Sequence, residues 1–268
     1  MKLYPRLLVL LWSFSLSATE LQTKEADPLQ KVWLDRNDQS TLQSLFPIVR
    51  CSFKPTKYES LLMTELRNAN TDIKQFRNTS EKIGEILIGK VIECLPTQSI
   101  TIETPVTTCS GEVFIENLEL VSIMRSGDAL LETFMKHFPD AHINKILIQR
   151  DEKTTEPHFL YMKLSPSVAS GNYVVITEPM IATGGSLITA ITLLKKKGVA
   201  EDRIIIAAIC AAPEGVSRLS ALFPKIQLVF TVLDENLNEK NYIVPGLGDF
   251  GDRYFGTAEE KPCRIVKK

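Results

Sequence analysis

The segment that most constrains the fold runs from Tyr173 to Gly198, with the sequence YVVITEPMIATGGSLITAITLLKKKG. It begins with a run of β-branched apolar residues, which is typical of a strand buried on both faces. An acidic residue, Glu178, follows this run, and the small residues ATGGS come next. Apolar residues then recur at helical spacing as far as the lysines before Gly198. The segment therefore predicts a strand, a glycine-rich turn and a helix in immediate succession.

A turn of this kind is suited to binding phosphate. Adjacent glycines let the main chain approach an anion, and the amide groups and dipole at the start of the helix attract negative charge. Glu178, at the end of the strand, is placed to accept hydrogen bonds from sugar hydroxyls. The alternative from these residues alone is an ordinary strand–helix turn with a Thr or Ser cap. We interpret the segment as a phosphate site.

Two motifs make this interpretation specific. The stretch EPMIATGGS resembles the DPMLATGGS loop with which uracil phosphoribosyltransferases bind 5-phosphoribosyl 1-pyrophosphate (PRPP). Further along, YIVPGLGDFGDRYFGT, from Tyr242 to Thr257, resembles the uracil-binding segment of the same family. The similarity covers roughly residues 42–257 and is closest to the eukaryotic-type members. By this resemblance the chain is identified as a type I phosphoribosyltransferase.

The resemblance implies a set of residues that bind PRPP. Arg125, in the sequence RSG, corresponds to the arginine of the family's R-A-G turn, which meets the pyrophosphate. Arg150, in the sequence RDE, corresponds to a second arginine that reaches the phosphates. The first motif and Asp249 complete the implied PRPP site: Glu178, Pro179, Met180, Ile181, Ala182, Thr183, Gly184, Gly185, Ser186 and Asp249.

The resemblance also implies how uracil is bound. Main-chain groups of Ile243 and Gly248 contact the base, with Phe250 beside them, and Asp249 lies between base and ribose. Arg125 and Asp249 are the implied catalytic residues. For Asp249, two roles stay open: polarising the N1–H of uracil, or holding a water molecule or magnesium ion nearby.

The order of predicted elements favours an α/β fold. We expect five successive strand-then-helix units, and hence a central parallel sheet flanked by helices. Residues 154–164 predict a projecting β-arm, and the C-terminal region forms the base-binding loops. Arg125, Arg150 and Glu178 each follow a different predicted strand. Because ligands bind at the carboxyl ends of the strands in such sheets, we expect these three residues to border one cleft.

The motifs also depart from the family pattern. Glu178 replaces Asp, which lengthens the side chain by one methylene, and Ser126 replaces Ala. Asn68 stands where an R-D-x-x-T loop has Asp, and we assign it no role in the site. The stretch from Gly84 to Lys90 matches a nucleotide-binding G-x4-G-K loop, but it lies inside an amphipathic helical pattern and lacks the Ser or Thr that should follow the lysine. We therefore reject it as a nucleotide site.

The N-terminus conflicts with the rest of the chain. Residues 1–20 have two basic residues, an apolar run and small residues at cleavage positions, as in a secretory signal peptide. PRPP is made and kept in the cytosol, so we expect a cytoplasmic protein. The alternatives are a working signal peptide, an anchor, a wrongly assigned start or a packed helix. We divide the chain into this segment, a polar lead-in over 21–41, and a phosphoribosyltransferase domain over 42–268.

Composition narrows the functional classes further. The net charge is −1, which gives no electrostatic argument for nucleic acid or a membrane surface. The five cysteines and three histidines show no ligand spacing, so we expect no zinc site and no disulfide framework. The resemblance implies conversion of uracil and PRPP to UMP and pyrophosphate with Mg²⁺, a homodimer or homotetramer, and GTP activation as in some members. The alternatives are a non-catalytic relative that binds PRPP or nucleotide as a regulator, and a secreted protein that keeps the fold for interaction.

Overall fold

The computed structural model describes residues 39–114, 117–150 and 157–257. Seven α-helices are formed by these residues: α1 Gln39–Leu45, α2 Lys57–Arg67, α3 Ile73–Ile92, α4 Gly127–His137, α5 Gly185–Lys196, α6 Pro213–Leu222 and α7 Phe250–Phe255. Eleven strands accompany them: β1 Thr97–Glu103, β2 Thr108–Phe114, β3 Leu118–Met124, β4 His142–Arg150, β5 Pro157–Lys163, β6 Tyr173–Thr177, β7 Met180–Ile181, β8 Ile204–Ala211, β9 Gln227–Leu233, β10 Asn236–Leu237 and β11 Ile243–Val244.

The central sheet is built from β3 to β9, with the order β5-β4-β3-β6-β8 and β9 paired on β8. All of these pairings are parallel except β4 with β5. Strand β7 continues β6 in the same register, since Thr177 pairs with Ala207 and Met180 pairs with Cys210. Two small antiparallel pairs, β1–β2 and β10–β11, lie outside this sheet.

The sheet is covered on both faces. Residues such as Val175, Ile205 and Val229 form one hydrophobic cluster with side chains of α3 and α4. Their neighbours along the strands, among them Val174 and Ile206, are equally buried, and successive strand residues point to opposite faces. All eight residues of β8 are buried, which fits its place inside the parallel part of the sheet.

The α/β fold class predicted from sequence is confirmed, but the expectation of five strand-then-helix units was wrong. In the part of the chain that the structure describes, three such units lie within the sheet: β3–α4, β6–α5 and β8–α6. Between β4 and β6 the chain forms strand β5, which pairs antiparallel with β4. The predicted β-arm at 154–164 is thus an edge strand along its described part, and its side chains are mostly exposed.

The rejected G-x4-G-K stretch lies within α3, where Lys90 is paired with the buried Glu59. The predicted segment at 1–20 and most of the lead-in lie outside the described residues, and α1 begins at Gln39, slightly before the predicted domain start at Leu42. Within the described ranges, none of the helices combines the length and the apolar character that crossing a membrane requires.

Candidate active site

The turn after β3 approaches the end of β6 very closely. A Cβ atom added to Gly127 would lie 2.3 Å from the carbonyl oxygen of Thr177. The Thr177 hydroxyl in turn donates to the Gly127 carbonyl oxygen at 3.0 Å. Only glycine allows this contact, which explains the glycine of the RSG motif. The contact brings the turn that carries Arg125 next to the turn that carries Glu178.

Arg125 extends from this turn to the C-terminal base loop. Its Nη2 atom donates to Asp252 Oδ1 at 2.6 Å, and its Nη1 atom donates to Thr257 Oγ1 at 2.9 Å. Hydrogen bonds from Thr257 and from Arg125 lower the pKa of Asp252. About half of the Arg125 side chain is exposed (52%), so it borders open space as a ligand-binding cation must. Arg125 thus joins the RSG turn to the second motif.

Glu178 contacts the residue that follows this arginine in the chain. Its side chain is buried, with 7% exposed, and Ser126 Oγ donates to Glu178 Oε1 at 3.0 Å. The predicted juxtaposition of Arg125 and Glu178 at neighbouring strand ends is therefore present. Arg150 is the last residue of β4, which pairs with β3, so its main chain lies at the same edge of the sheet. The Arg150 side chain lies outside the described residues.

The small-residue loop starts α5 at Gly185, with Gly184 as its N-cap residue in the left-handed region (φ 74°). Glycine has no side chain to cap the helix, so the first amide groups of α5 face the loop without a cap from that residue. Thr183 is half-buried and Ser186 is 7% exposed. This is the geometry of a helix N-terminus that binds an anion.

Helix α6 holds this loop in place. Arg218 Nη1 donates to the Thr183 carbonyl oxygen at 2.7 Å. A Cβ atom added to Gly215 would lie 2.3 Å from the Ala182 carbonyl oxygen. Locally, the AAPEG sequence from Ala211 to Gly215 is explained by a turn that starts helix α6 with Pro213. The structure shows a second reason for its glycine, which is contact with the phosphate loop.

Pro179, Met180 and Ile181 support the loop through the main chain. The Pro179 carbonyl oxygen accepts from the amides of Ile209 and Cys210, and Met180 and Ile181 pair with β8. Pro179 and Ile181 are buried, whereas Met180 is half-buried. Of the residues implied to bind PRPP, these three form the base of the loop, and Ala182 is buried beside them.

The base loop begins with β11 and ends with α7. Ile243 is 7% exposed and pairs with Leu237, and Gly248 has a left-handed backbone (φ 83°). Asp249 is exposed and caps α7, accepting from the Asp252 amide at 2.9 Å. A Cβ atom at Gly251 would lie 3.4 Å from Asp249 Oδ1 and 3.5 Å from Arg125 Nη2. The two implied catalytic side chains therefore both lie close to Gly251, in the first turn of α7.

Phe250 is placed differently from its neighbours. Its ring is 1% exposed and packs against Phe76 and Tyr254, with centroid distances of 5.3 and 5.7 Å. The ring belongs to the core beneath the loop. Phe250 can therefore meet a base only through its main chain.

Three residues that the sequence analysis did not single out hold the base loop. Asp234 accepts from the Gly246 amide at 2.9 Å and from Arg67, which also donates to the Gly246 carbonyl oxygen at 2.7 Å. Arg253 donates to the carbonyl oxygens of Leu247 (2.6 Å) and Asn68 (2.7 Å). Burial lowers the pKa of Arg253. The position of Arg253 inside the second motif could have indicated its importance. Its partner Asn68 could not have been found this way, because it is distant in sequence.

Comparison with known proteins identifies the family. The profile of uracil phosphoribosyltransferase matches residues 54–257. A protein named uracil phosphoribosyltransferase from an Exiguobacterium species is 40% identical over 196 residues, covering 73% of this chain and 92% of that protein. One with the same name from Dictyostelium discoideum is also 40% identical, over 203 residues, covering 74% of this chain and 92% of that protein.

The fold comparison agrees. A solved structure of a protein from Aquifex aeolicus superposes with a TM-score of 0.69 at 29% identity, and the match covers 76% of this chain and 97% of that one. Both motifs and the relatives over most of the domain lead to one assignment. The chain belongs to the uracil phosphoribosyltransferase family.

Proposed function

We propose that this cleft transfers the phosphoribosyl group of PRPP to N1 of uracil, giving UMP and pyrophosphate in pyrimidine salvage. The observation that carries the proposal is the contact between Arg125 and Asp252, with 2.6 Å between Nη2 and Oδ1. It joins the turn predicted to bind pyrophosphate to the segment predicted to bind uracil. A glycosyl transfer needs donor and acceptor in one cleft at bonding distance.

In this proposal the phosphate loop and the strand ends bind PRPP. The main chain of Thr183, Gly184 and Gly185, with the Ser186 hydroxyl, holds the 5′-phosphate at the start of α5. The Glu178 carboxylate accepts a hydrogen bond from a ribose hydroxyl group. Arg125 and Arg150 neutralise the pyrophosphate, because planar guanidinium groups pair well with phosphate oxygens.

Uracil is bound mainly by the main chain of the base loop. The edge of uracil offers an acceptor, a donor and an acceptor, which amide and carbonyl groups near Ile243 and Gly248 match without a charged side chain. Cytosine has a donor where uracil has an acceptor, so a buried amide would stay unpaired at a cost of about 1–3 kcal/mol. In this proposal Asp249, which is exposed beside the loop, acts where base and ribose meet.

The chemistry follows from charge. Breaking the bond at C1 of ribose leaves positive charge on the ring and negative charge on the departing pyrophosphate. Arg125 stabilises the negative charge as it forms, which lowers the barrier without a covalent intermediate. Asp249 is placed to accept the N1 proton of uracil or to orient a water molecule that does so.

Mg²⁺ is part of this proposal. Within the described ranges no three carboxylate, His or Cys side chains are grouped to hold a metal ion. Mg²⁺ commonly binds one or two carboxylates together with substrate phosphates and waters, so single carboxylates such as Asp249 and Glu178 suit it. When bound with PRPP, it supplies charge neutralisation of the pyrophosphate.

The assembly and location in this proposal follow the family resemblance. The described part of β5 exposes Phe159, Leu160 and Tyr161 by 44%, 54% and 51%, and we propose this edge strand as a subunit contact in a homodimer or homotetramer. GTP acts as an activator. The enzyme works in the cytoplasm, where PRPP is available; the alternative is the secretory pathway.

The test is formation of UMP from radiolabelled uracil, PRPP and Mg²⁺ by the full chain. We expect turnover, and a loss of at least about a hundredfold in kcat/KM for Arg125→Ala, since removing one transition-state donor costs about 10²–10³ in rate. Arg203→Ala is the matched control, because Arg203 lies before β8 at the other end of the sheet, with its guanidinium 4.6 Å from the Tyr173 ring centroid. PRPP binding without UMP formation would instead support a non-catalytic regulator.

A further inference from the structure

Two of the positions at which the motifs depart from the family pattern contact each other. Ser126, where the R-A-G turn has Ala, donates its hydroxyl to the carboxylate of Glu178, where the other motif has Asp. The distance from Ser126 Oγ to Glu178 Oε1 is 3.0 Å, although the residues are 52 positions apart in sequence. Neither motif by itself reveals this relationship.

The backbone fixes these two residues opposite each other. They occupy turns after the adjacent parallel strands β3 and β6. The Thr177 hydroxyl donates to the Gly127 carbonyl oxygen at 3.0 Å and so holds the two turns together. The residue at 126 therefore faces the acid at 178. Alanine at position 126 would offer no hydroxyl to the carboxylate at position 178. Aspartate at position 178 would be one methylene shorter than Glu178.

A hydroxyl donor matters more for Glu than for Asp. Glu has an additional rotatable bond, so its carboxylate must lose more freedom before it can accept a ribose hydroxyl in one geometry. A hydrogen bond to a charged group is stronger than a neutral one and fixes the carboxylate plane. Glu178 is 7% exposed, so water competes little for its oxygens.

We propose that Ser126 is a positioning residue for PRPP, and that Ser126 and Glu178 function as a matched pair. The Ser126 hydroxyl holds the longer side chain of Glu178 so that its carboxylate can accept a hydrogen bond from the ribose hydroxyl. Ser126 is adjacent to Arg125 in the chain. The turn that carries the arginine proposed to bind pyrophosphate therefore also orients Glu178, the proposed acceptor for a ribose hydroxyl. This inference rests on the proposed function and adds a determinant of donor-substrate binding to it.

The test is a double-mutant cycle in the full chain with Ser126→Ala, Glu178→Asp and the combination of both. Losing one charge-assisted hydrogen bond corresponds to about a tenfold change in affinity. We expect Ser126→Ala to raise KM for PRPP by about tenfold and to leave KM for uracil within about twofold. We expect Glu178→Asp to raise KM for PRPP as well. The combination, which restores the motif pair Ala and Asp, should bind PRPP better than Glu178→Asp alone.

Ser167→Ala is the matched control. Ser167 Oγ donates to Glu119 Oε1 at 2.7 Å, so it is also a serine–glutamate pair, at the start of β3 and far from the strand ends that form the cleft. It should leave both KM values unchanged, even where thermal unfolding shows a loss of stability. Thermal unfolding of every variant separates folding defects from binding defects.

Two outcomes would overturn the pairing: equal changes in KM for both substrates with Ser126→Ala, or single effects that simply multiply in the combined variant. If the wild-type chain makes no UMP, the proposed function fails. The pairing is then decided by PRPP affinities of the same four proteins in calorimetry. A tenfold weaker affinity for Ser126→Ala with recovery in the combination supports it, and unchanged affinity refutes it.

Discussion

Arg67, the last residue of α2, forms a bidentate ion pair with Asp234 at the end of β9. The distances are 2.9 Å from Nη1 to Oδ2 and 2.5 Å from Nη2 to Oδ1. Asp234 is 3% exposed and also accepts from the Gly246 amide and from Cys210 Sγ. The pair therefore anchors the base loop to the helical layer and to the end of the sheet. It indicates that uracil binding depends on residues outside the uracil motif.

Replacing this arginine should impair both stability and uracil binding. Arg67→Ala leaves the buried Asp234 without its cation, and breaking such a pair costs about 3 kcal/mol in the free energy of unfolding. The Gly246 carbonyl oxygen also loses its donor, so KM for uracil should rise more than KM for PRPP. Chemical denaturation and steady-state kinetics measure the two effects.

Lys90→Ala is the control for that experiment. It breaks another buried pair, with Glu59, whose side chain is 2% exposed, in a part of α3 away from the base loop. It should destabilise the protein by a similar amount without a selective change in KM for uracil. Equal kinetic profiles for the two variants would contradict a role for Arg67 in the loop.

The contact of α6 with the phosphate loop predicts a specific effect of a single methyl group. Gly215→Ala places a Cβ 2.3 Å from the Ala182 carbonyl oxygen, so the loop or the helix must move. We expect KM for PRPP to rise by about tenfold or more, since displacement of a binding loop weakens every contact made by it. Gly89→Ala, in α3 with nothing within 4 Å of the added Cβ, should instead be neutral or stabilise by about 0.5–1 kcal/mol. Similar kinetics for both variants would contradict the prediction.

The burial of Phe250 predicts a stability effect rather than a change in base selectivity. Phe250→Ala removes a ring that packs on Phe76 and Tyr254, and should lower the free energy of unfolding by about 3–5 kcal/mol. Phe250→Leu should fold and keep the preference for uracil over cytosine. Competition between the two bases in the turnover assay measures that preference. A marked loss of selectivity in Phe250→Leu would show that the ring itself reads the base.

Glu119, at the start of β3, should make stability depend on pH. Burial raises its pKa, but hydrogen bonds from Ser165, Ser167, Asn144 and His142 outweigh this, so the pKa lies below the ordinary 4.5. A lowered folded-state pKa means that the charge stabilises the fold above the ordinary value, and that this contribution is lost as the pH falls through the folded-state pKa.

The measurement is urea denaturation of the wild type and Glu119→Gln from pH 7 to pH 3. We expect the variant to be less stable by about 1–3 kcal/mol at neutral pH, because buried donors lose a charged acceptor. The difference should shrink as the pH falls below about 4, where the carboxylate becomes protonated. A constant difference across this range would contradict the assignment.

Much of the fold and the site could be predicted from local sequence. The mostly apolar run LELVSIM at Leu118–Met124 is a strand, and the strand, turn and helix around Glu178 follow in the predicted order. The juxtaposition of Arg125 and Glu178 also followed, because parallel strands bring their carboxyl ends to one edge. A β-arm was predicted at residues 154–164, but the antiparallel pairing of β5 with β4 at the edge of the central sheet was not foreseen, because the local pattern does not specify the partner strand.

The sequence alone determined the chemistry of each turn, namely the motif it belongs to, the charged residue it carries and the position of its glycines. Periodicity and short motifs act within a few residues, so one sequence suffices to read them. Only the tertiary structure decided the partners. Arg125 meets Asp252 across 127 positions, and Arg67 meets Asp234 across 167. Ser126 meets Glu178 in the same way. Such contacts depend on how strands and helices pack, and packing is set by the whole core rather than by the residues that make the contact.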